Sequence, residues 1–557
     1  MTWREEALDA LAGDPRVSVL ILGGGINGVG LFRELALQGV DCLLVDKADF
    51  VTGASSKSSR MIHGGLRYLE NREFRLVRES LLERNRLLNN AAHYVAPLRT
   101  TIPLFSWFGG LLRSGVIFMG LSVRPGSRGA VGVKFGLWFY DFVTRKDRKT
   151  PTHFLTGREP SLREIPGLNP GIIATATYWD AWITQAERLC IELIQDARRA
   201  DPRCRAMNYV HAQGAAGDAV TLRDAVTGRS VAVRPRVVIN ATGAWVDLTN
   251  AAFGLKTRFM GGTKGSHLVV NSKALLAALG DRMVYYQHAD GRVCIVFPFL
   301  GKVIMGSTDI RTDDPDSARC DEDEVRYMMT TLSGVFPGVS IARTDVVYTF
   351  CGVRPLPASD GEVLANVSRG HSVQVIEPEA GRAFPIYSLI GGKWTTFRAF
   401  AEEVADRVLA RLGVVRRCRT EHLPIGGGRD FPAGATARTA WVRRVAKESG
   451  VSEPRLATLL ERYGTDAEAY AKTATAESER PLRTLPEYTV GEVRRIVAGE
   501  YVEHLDDFVT RRSTIALLGD ARDDVLRELA DVTGDVLGWD AARRKQEVLA
   551  ATPPAPK

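Results

Sequence analysis

VSVLILGGGINGVGLFRELALQGVDCLLVD, residues 17–46, opens with an apolar run, Val17–Leu22, rich in β-branched residues and without polar alternation. Such a run fits a strand buried on both faces of a parallel sheet. Three glycines follow, then a helical pattern that puts Val29, Phe32, Leu35 and Ala36 on one face and stops at Gly39. A second apolar run, Val40–Val45, ends at Asp46. Strand, glycine turn, helix and strand make a βαβ unit. Gly23-Gly24-Gly25-Ile26-Asn27-Gly28 satisfies GxGxxG in the context that gives the pattern meaning. Gly23 permits the tight turn, Gly25 lets the backbone approach a pyrophosphate, and Gly28 lets helix and strand pack closely. The helix N-terminus then offers N–H groups and positive dipole to phosphates, and Asp46 is placed to accept from a ribose hydroxyl pair.

Outward from this unit the sequence favours an extended dinucleotide. Residues 53–60, GASSKSSR, bring hydroxyls and two cations soon after the second strand. Residues 217–240 read as an antiparallel meander running into a buried strand, Val237–Asn240, that ends in Ala241-Thr242-Gly243 and allows a second close backbone approach. FAD, bound extended, needs such distant contacts; an NAD domain usually completes its sheet without the meander. Strand signals at His267–Val270, Val293–Pro298 and Val303–Gly306 predict a second, larger sheet. Beyond about residue 415 the chain reads as helices, with Ser452 capping one and Thr489/Glu492 forming a capping box on another.

The 557 residues predict about three domains. With 45% hydrophobic and 25% charged residues, disordered, collagen-like and disulfide-scaffold chains are excluded. The net charge of +8 suits anionic partners without choosing among them. Seven cysteines without a CxxC pair point to a reducing cytosol, and no His/Cys/Asp cluster has metal-ligand spacing. The N-terminus lacks a signal-peptide core, no run is long enough for a spanning helix, and no aromatic–basic module points to nucleic acid.

At Ile62-His63-Gly64-Gly65-Leu66-Arg67-Tyr68-Leu69-Glu70 the sequence resembles the FAD-dependent, quinone-linked glycerol-3-phosphate dehydrogenases. The resemblance continues through Lys264–His267, Gly306–Asp309, Gly352–Leu356, Gly391–Thr396 and Leu505–Arg512, and spans about residues 17–515. It departs at Phe32, Glu34, Gln38 and Phe397, where the family usually carries a small Ala, an Asp, an Arg and a Tyr. It implies an α/β fold of D-amino-acid-oxidase type. The FAD-binding Rossmann-like domain is expected from 14–90, 180–260 and 350–418. An antiparallel-sheet substrate domain is expected from 91–179 and 261–349, and a helical C-terminal domain from 419–557.

The implied reaction is oxidation of sn-glycerol 3-phosphate to dihydroxyacetone phosphate, with electrons passed from FAD to a quinone. An oxygen-using oxidase and an amine or hydroxy-acid oxidase on the same fold are the alternatives. The resemblance makes His267 the first choice of base and His63 the second, with Arg354 and Lys393 beside the reacting oxygen. Arg67, Tyr68 and Arg369 hold the phosphate, and Thr308 lines the pocket. FAD contacts are expected from Gly23, Gly24, Gly25, Asn27, Gly28, Asp46, Ser55 and Ser56, and from Ala241, Gly243, Gly391, Gly392 and Thr395. A lipid-soluble quinone implies peripheral attachment to the inner face of the cell membrane. The apolar stretch from Leu104 to Leu121, including Trp107, Phe108, Leu111 and Leu112 and flanked by cations, is the expected contact; burial in the core or in a homodimer contact is the competing reading.

Overall fold

In the computed structural model, which describes residues 2–69, 73–108, 129–288, 290–358 and 370–553, the first apolar run is the strand Arg16–Leu22. Val19, Leu20 and Ile21 are fully buried; burying a side chain of this kind contributes about 1.5–3 kcal/mol. The strand pairs in parallel with Cys42–Val45 on one side and Ser230–Asn240 on the other, with Leu22 opposite both Val45 and Asn240. The residues that follow, Gly23, Asp46 and Ala241, therefore leave the sheet at one level. Ile386–Gly391 extends the sheet in parallel beyond Ser230–Asn240. Ligands of open parallel sheets bind at this carboxyl edge.

The meander is present: Val210–Ala216, Ala219–Asp224 and Ser230–Asn240 pair antiparallel in turn. Helix Ile26–Leu37 runs behind the sheet. The family departures on its far side have local partners. Glu34 accepts from Arg416 and from Thr420 Oγ1, and Gln38 Oε1 accepts from the Arg417 amide. Phe32 and Phe397 are buried in the same layer. Glu34 and Gln38 thus fit the helix to the following linker.

The second sheet has ten strands among the described residues. Thr263–Val270 lies between Lys302–Gly306 and Val346–Arg354, which sets His267 opposite Gly306 and Phe350. Met61–Ile62 and the whole of Val346–Arg354 pair in this sheet, although the segments drawn from sequence put the first and most of the second's catalytic end with the dinucleotide domain.

In the C-terminal helices two caps differ from expectation. Ser452 is the N-cap of helix Glu453–Tyr463 but makes no side-chain capping bond. Thr489 accepts from the Glu492 amide, yet Glu492 does not reciprocate. Its buried carboxylate instead binds Arg455, Arg462 and Tyr463, where two cations are worth more than one neutral amide.

Among the described residues no helix is long and apolar enough to cross a membrane. Leu104 is not part of an exposed stretch; it ends the buried strand Val95–Leu104. Phe105, Trp107 and Phe108 are exposed, and Leu111, Leu112 and the rest of 109–128 lie outside the described residues. Helix Ala130–Thr144 buries Val133, Leu137 and Tyr140 and turns Val131, Phe135, Trp138 and Phe142 to solvent.

Candidate active site

The strand ends and the second sheet enclose a cavity of about 940 Å³. The glycine loop forms part of its wall. Gly23 has φ +104°, and a Cβ at Gly28 would run into the Gly23 carbonyl oxygen, so neither position accepts a side chain. Gly23, Gly25, Asn27, Asp46, Ala241 and Gly243 line the cavity. Gly24 does not; its amide donates to Asp46 Oδ2 at 2.7 Å. Asp46 also accepts from the Ala48 amide, and burial pushes its carboxyl up to about 6. Gly25 is the N-cap of the helix and offers no side chain, while Ser55 Oγ accepts from the Ile26 amide at 2.9 Å. Ser56 is buried behind the wall, bonded to the Gly53 carbonyl.

These residues fit a dinucleotide: a side-chain-free cradle, a helix N-terminus, an acceptor carboxylate, and a buried Asn27 Oδ1 with no partner among the described residues. Gly391, Gly392 and Thr395 line the cavity from the opposite side, where Asn27 Nδ2 reaches the Gly391 carbonyl at 3.4 Å.

His63, Tyr68, His267, Arg354 and Lys393 also line the cavity. The HGG turn is held from two sides: the His63 amide donates to Thr395 Oγ1 at 3.2 Å and the Gly64 amide to buried Asp180 at 3.1 Å. Lys393 Nζ lies 4.6 Å from the Tyr68 ring centre and donates to Ser80 Oγ at 2.9 Å. His63 and Tyr68 rings stand 6.2 Å apart. Arg354 is aimed by Asp309 at 2.9 Å and by Ser307 Oγ and the Thr308 carbonyl, both at 3.1 Å.

His267 is the most enclosed member. Its ring stacks on Phe350 at 4.9 Å and 9°, and its other face lies where a Cβ on Gly306 would sit. Nε2 is 2.9 Å from Ser59 Oγ, and Nδ1 has no partner among the described residues. Burial first, then the Arg354 and Arg60 charges, hold the imidazole down at about 3.

Thr308 does not line the cavity. It is buried, donates to Glu324 at 2.6 Å and accepts from the Ser266 amide at 2.9 Å, so it positions the strand carrying His267. Arg369 and the side chain of Arg67 lie outside the described residues. Sequence reading missed Ser59, Phe350, Asp309 and Glu324. Asp309 and Ser59 stand inside motifs already singled out, but their partners are over forty residues away.

The chain matches the FAD dependent oxidoreductase family over residues 18–407 and the C-terminal domain of alpha-glycerophosphate oxidase over 418–544. It is 33% identical to a glycerol-3-phosphate dehydrogenase of Synechocystis over 94% of this chain and 93% of that one. Its fold resembles the glycerol-3-phosphate dehydrogenase of Bacillus halodurans complexed with FAD, with TM-score 0.74, 22% identity and coverage of 98% and 96% of the two chains. It also resembles the L-alpha-glycerophosphate oxidase of Mycoplasma pneumoniae with FAD bound, with TM-score 0.53 and 17% identity, over 73% of this chain and 98% of that one. An FAD cradle and cations lining the same cavity, with family matches along both parts of the chain, place it in the FAD-dependent glycerol-3-phosphate dehydrogenase family.

Proposed function

We propose that the protein oxidises sn-glycerol 3-phosphate to dihydroxyacetone phosphate and delivers the electrons to a membrane quinone. The observation that carries the substrate is that Arg354, Lys393, His63, His267 and Tyr68 line the same cavity as the glycine loop. A phosphate dianion and a developing alkoxide both need cations, and an amine or amino-acid substrate would not need so many. FAD, when bound, supplies the hydride acceptor. The chain supplies the rest. Lys393 and Arg354 lower the energy of the alkoxide, Tyr68 donates to the substrate, and Arg67 and Arg369 hold the phosphate.

The base is one of two imidazoles, His267 or His63, and the burial of His267 favours His63. A general base works best with a pKa near the working pH. His267, held at about 3, is neutral but weakly basic. We assign proton removal to His63, on the backbone turn pinned by Thr395 and Asp180, and make His267 a neutral hydrogen-bonding wall.

Quinone is favoured over oxygen by the outward aromatic row Phe135, Trp138 and Phe142, with ring centres 6.0 and 5.6 Å apart and Arg145 over Phe142. Aromatic rings beside Lys134, Arg145 and Lys146 suit the interface of an anionic bilayer. Anaerobic mixing tests the whole reading. Glycerol 3-phosphate should bleach the flavin and glycerol should not, and a quinone analogue should restore the colour faster than oxygen does. Unbleached flavin overturns the substrate; faster recovery with oxygen overturns the acceptor.

A further inference from the structure

We infer that the C-terminal helical domain acts as a clamp on the FAD-binding loop: Arg511 and Arg512, through Asp49, are positioning residues for cofactor binding.

The wall of the cofactor cavity between Asp46 and Lys57 makes a sharp excursion. Asp46, Lys47 and Ala48 face the cavity; Asp49, Phe50 and Val51 turn behind it. Val51, a β-branched residue, sits at φ +69°. Its amide donates to the Gly24 carbonyl at 3.1 Å, and the Phe50 ring occupies the space beside Gly24. The conformation of this turn is thus tied directly to the phosphate loop. A β-branched residue keeps a left-handed backbone only where its surroundings fix it.

The C-terminal domain supplies that fixing. Asp49 is fully buried and accepts from Arg511 Nε at 2.5 Å and from Arg512 Nη1 and Nη2 at 2.8 and 2.7 Å. Both arginines come from the π-helical turn Phe508–Arg512. The remaining lone pairs are also used, since Asn208 Nδ2 donates to Asp49 Oδ1 at 2.9 Å and to the Tyr501 carbonyl at 2.7 Å. The Tyr501 ring packs edge-on to Phe50 at 5.3 Å. Two further strained residues belong to the same knot: Tyr209 at φ +59° and Tyr501 at φ +58°. The Tyr209 amide donates to Ala48 and its hydroxyl to Asp507 at 2.5 Å. Three non-glycine residues in the left-handed region, Val51, Tyr209 and Tyr501, therefore surround the Asp49 contact, the only point where residues 501–512 reach the loop through charged hydrogen bonds among the described residues.

The match to the FAD dependent oxidoreductase family spans residues 18–407 and stops short of 501–512, so the flavin fold alone does not demand this contact. In this chain the loop has been built to lean on it. None of these side chains lines the cavity, so their effect on FAD passes through the Val51 turn.

Binding linkage is reciprocal: if docking of the C-terminal turn favours FAD, FAD must favour docking. Amide exchange on the flavin-stripped full-length protein decides this without a mutation. Adding FAD should slow exchange across 46–57 and, equally, across 501–512; protection confined to the loop overturns the clamp. As a second measurement, Arg511→Lys keeps the charge but loses the fork, and Asp49→Asn removes the acceptor charge. Each should raise the Kd for FAD about tenfold or more. A variant that unfolds at lower urea but binds FAD with unchanged Kd would make the contact simple interdomain glue. No readout uses glycerol 3-phosphate, so an error in the substrate leaves this test intact.

Discussion

His267 and Asp46 are displaced from their ordinary titration in opposite directions by the same cause, burial, and each displacement has a measurable sign. For His267 the folded value, about 3, lies below the usual value of about 6.5. Below pH 6.5 the unfolded chain takes up a proton that the native site refuses. The stability is complete above pH 6.5 and is lost as pH falls toward 3, by about 1.4 kcal/mol per pH unit. His267→Gln should therefore show a shallower loss of urea stability between pH 6 and 4, by about one proton; identical slopes would show that the imidazole is not excluded from protonation. The same displacement bears on which imidazole is the base: if it is His63, His63→Ala should slow flavin reduction far more than His267→Ala does, and the reverse order would return the role to His267. Asp46, pushed up to about 6, accepts more strongly from a ribose hydroxyl when it is ionised. FAD affinity should then weaken as pH falls through 6, and Asp46→Asn should bind FAD more weakly at pH 8 with that pH dependence gone. A pH-dependent Kd surviving in the variant would assign the titration elsewhere.

At the scale of elements, legibility follows the range of the interactions. The strand Arg16–Leu22, its glycine turn and Asp46 are readable because thirty consecutive residues contain both the hydrophobic run and its partner strand. The pocket is different. His63, Arg354 and Lys393 are brought together from three distant segments, and no periodicity announces that; only a resemblance of motifs does. Partners such as Ser59 for His267 and Glu324 for Thr308 were invisible because each is a single polar residue whose meaning lies across the sheet. The Thr489/Glu492 pair shows the converse error, a local rule overridden by tertiary charge. Thr489→Ala should cost about 1 kcal/mol, the ordinary loss of a cap. Glu492→Gln should cost more, because Arg455 and Arg462 are left without their buried carboxylate. Urea midpoints of the two variants decide it; equal losses would mean that Glu492 serves only as a capping residue.

For the whole molecule, the net charge of +8 and the outward aromatic row raise the same question, where the protein sits in the cell. Helix Ala130–Thr144 is apolar on both sides. Its inner side fills a core with Leu137 and Tyr140, so the ordinary explanation for apolar residues is already used there. The outer side leaves Phe135 and Trp138 67% and 54% exposed, and the neighbouring Trp107 and Phe108 53% and 72%. Rings left in water at this density mark a surface that is covered in use. Lipid is favoured over a second copy because the charges flanking the row are mainly cationic, Lys134, Arg145, Lys146, Arg148 and Lys149 against Asp141 and Asp147, and each cation near an anionic bilayer contributes about 1 kcal/mol that salt removes. Flotation with anionic vesicles should carry the wild type at low salt and less of it at high salt. Phe135→Ser/Trp138→Ser/Phe142→Ser, which leaves the inner face of the helix untouched, should remain in the soluble fraction while keeping its flavin. Equal flotation of the two would move the contact elsewhere on the surface. Failure of both to float, with the wild type dimeric and the variant monomeric, would make the aromatic row a protein interface and remove the physical ground for preferring a lipid-borne acceptor.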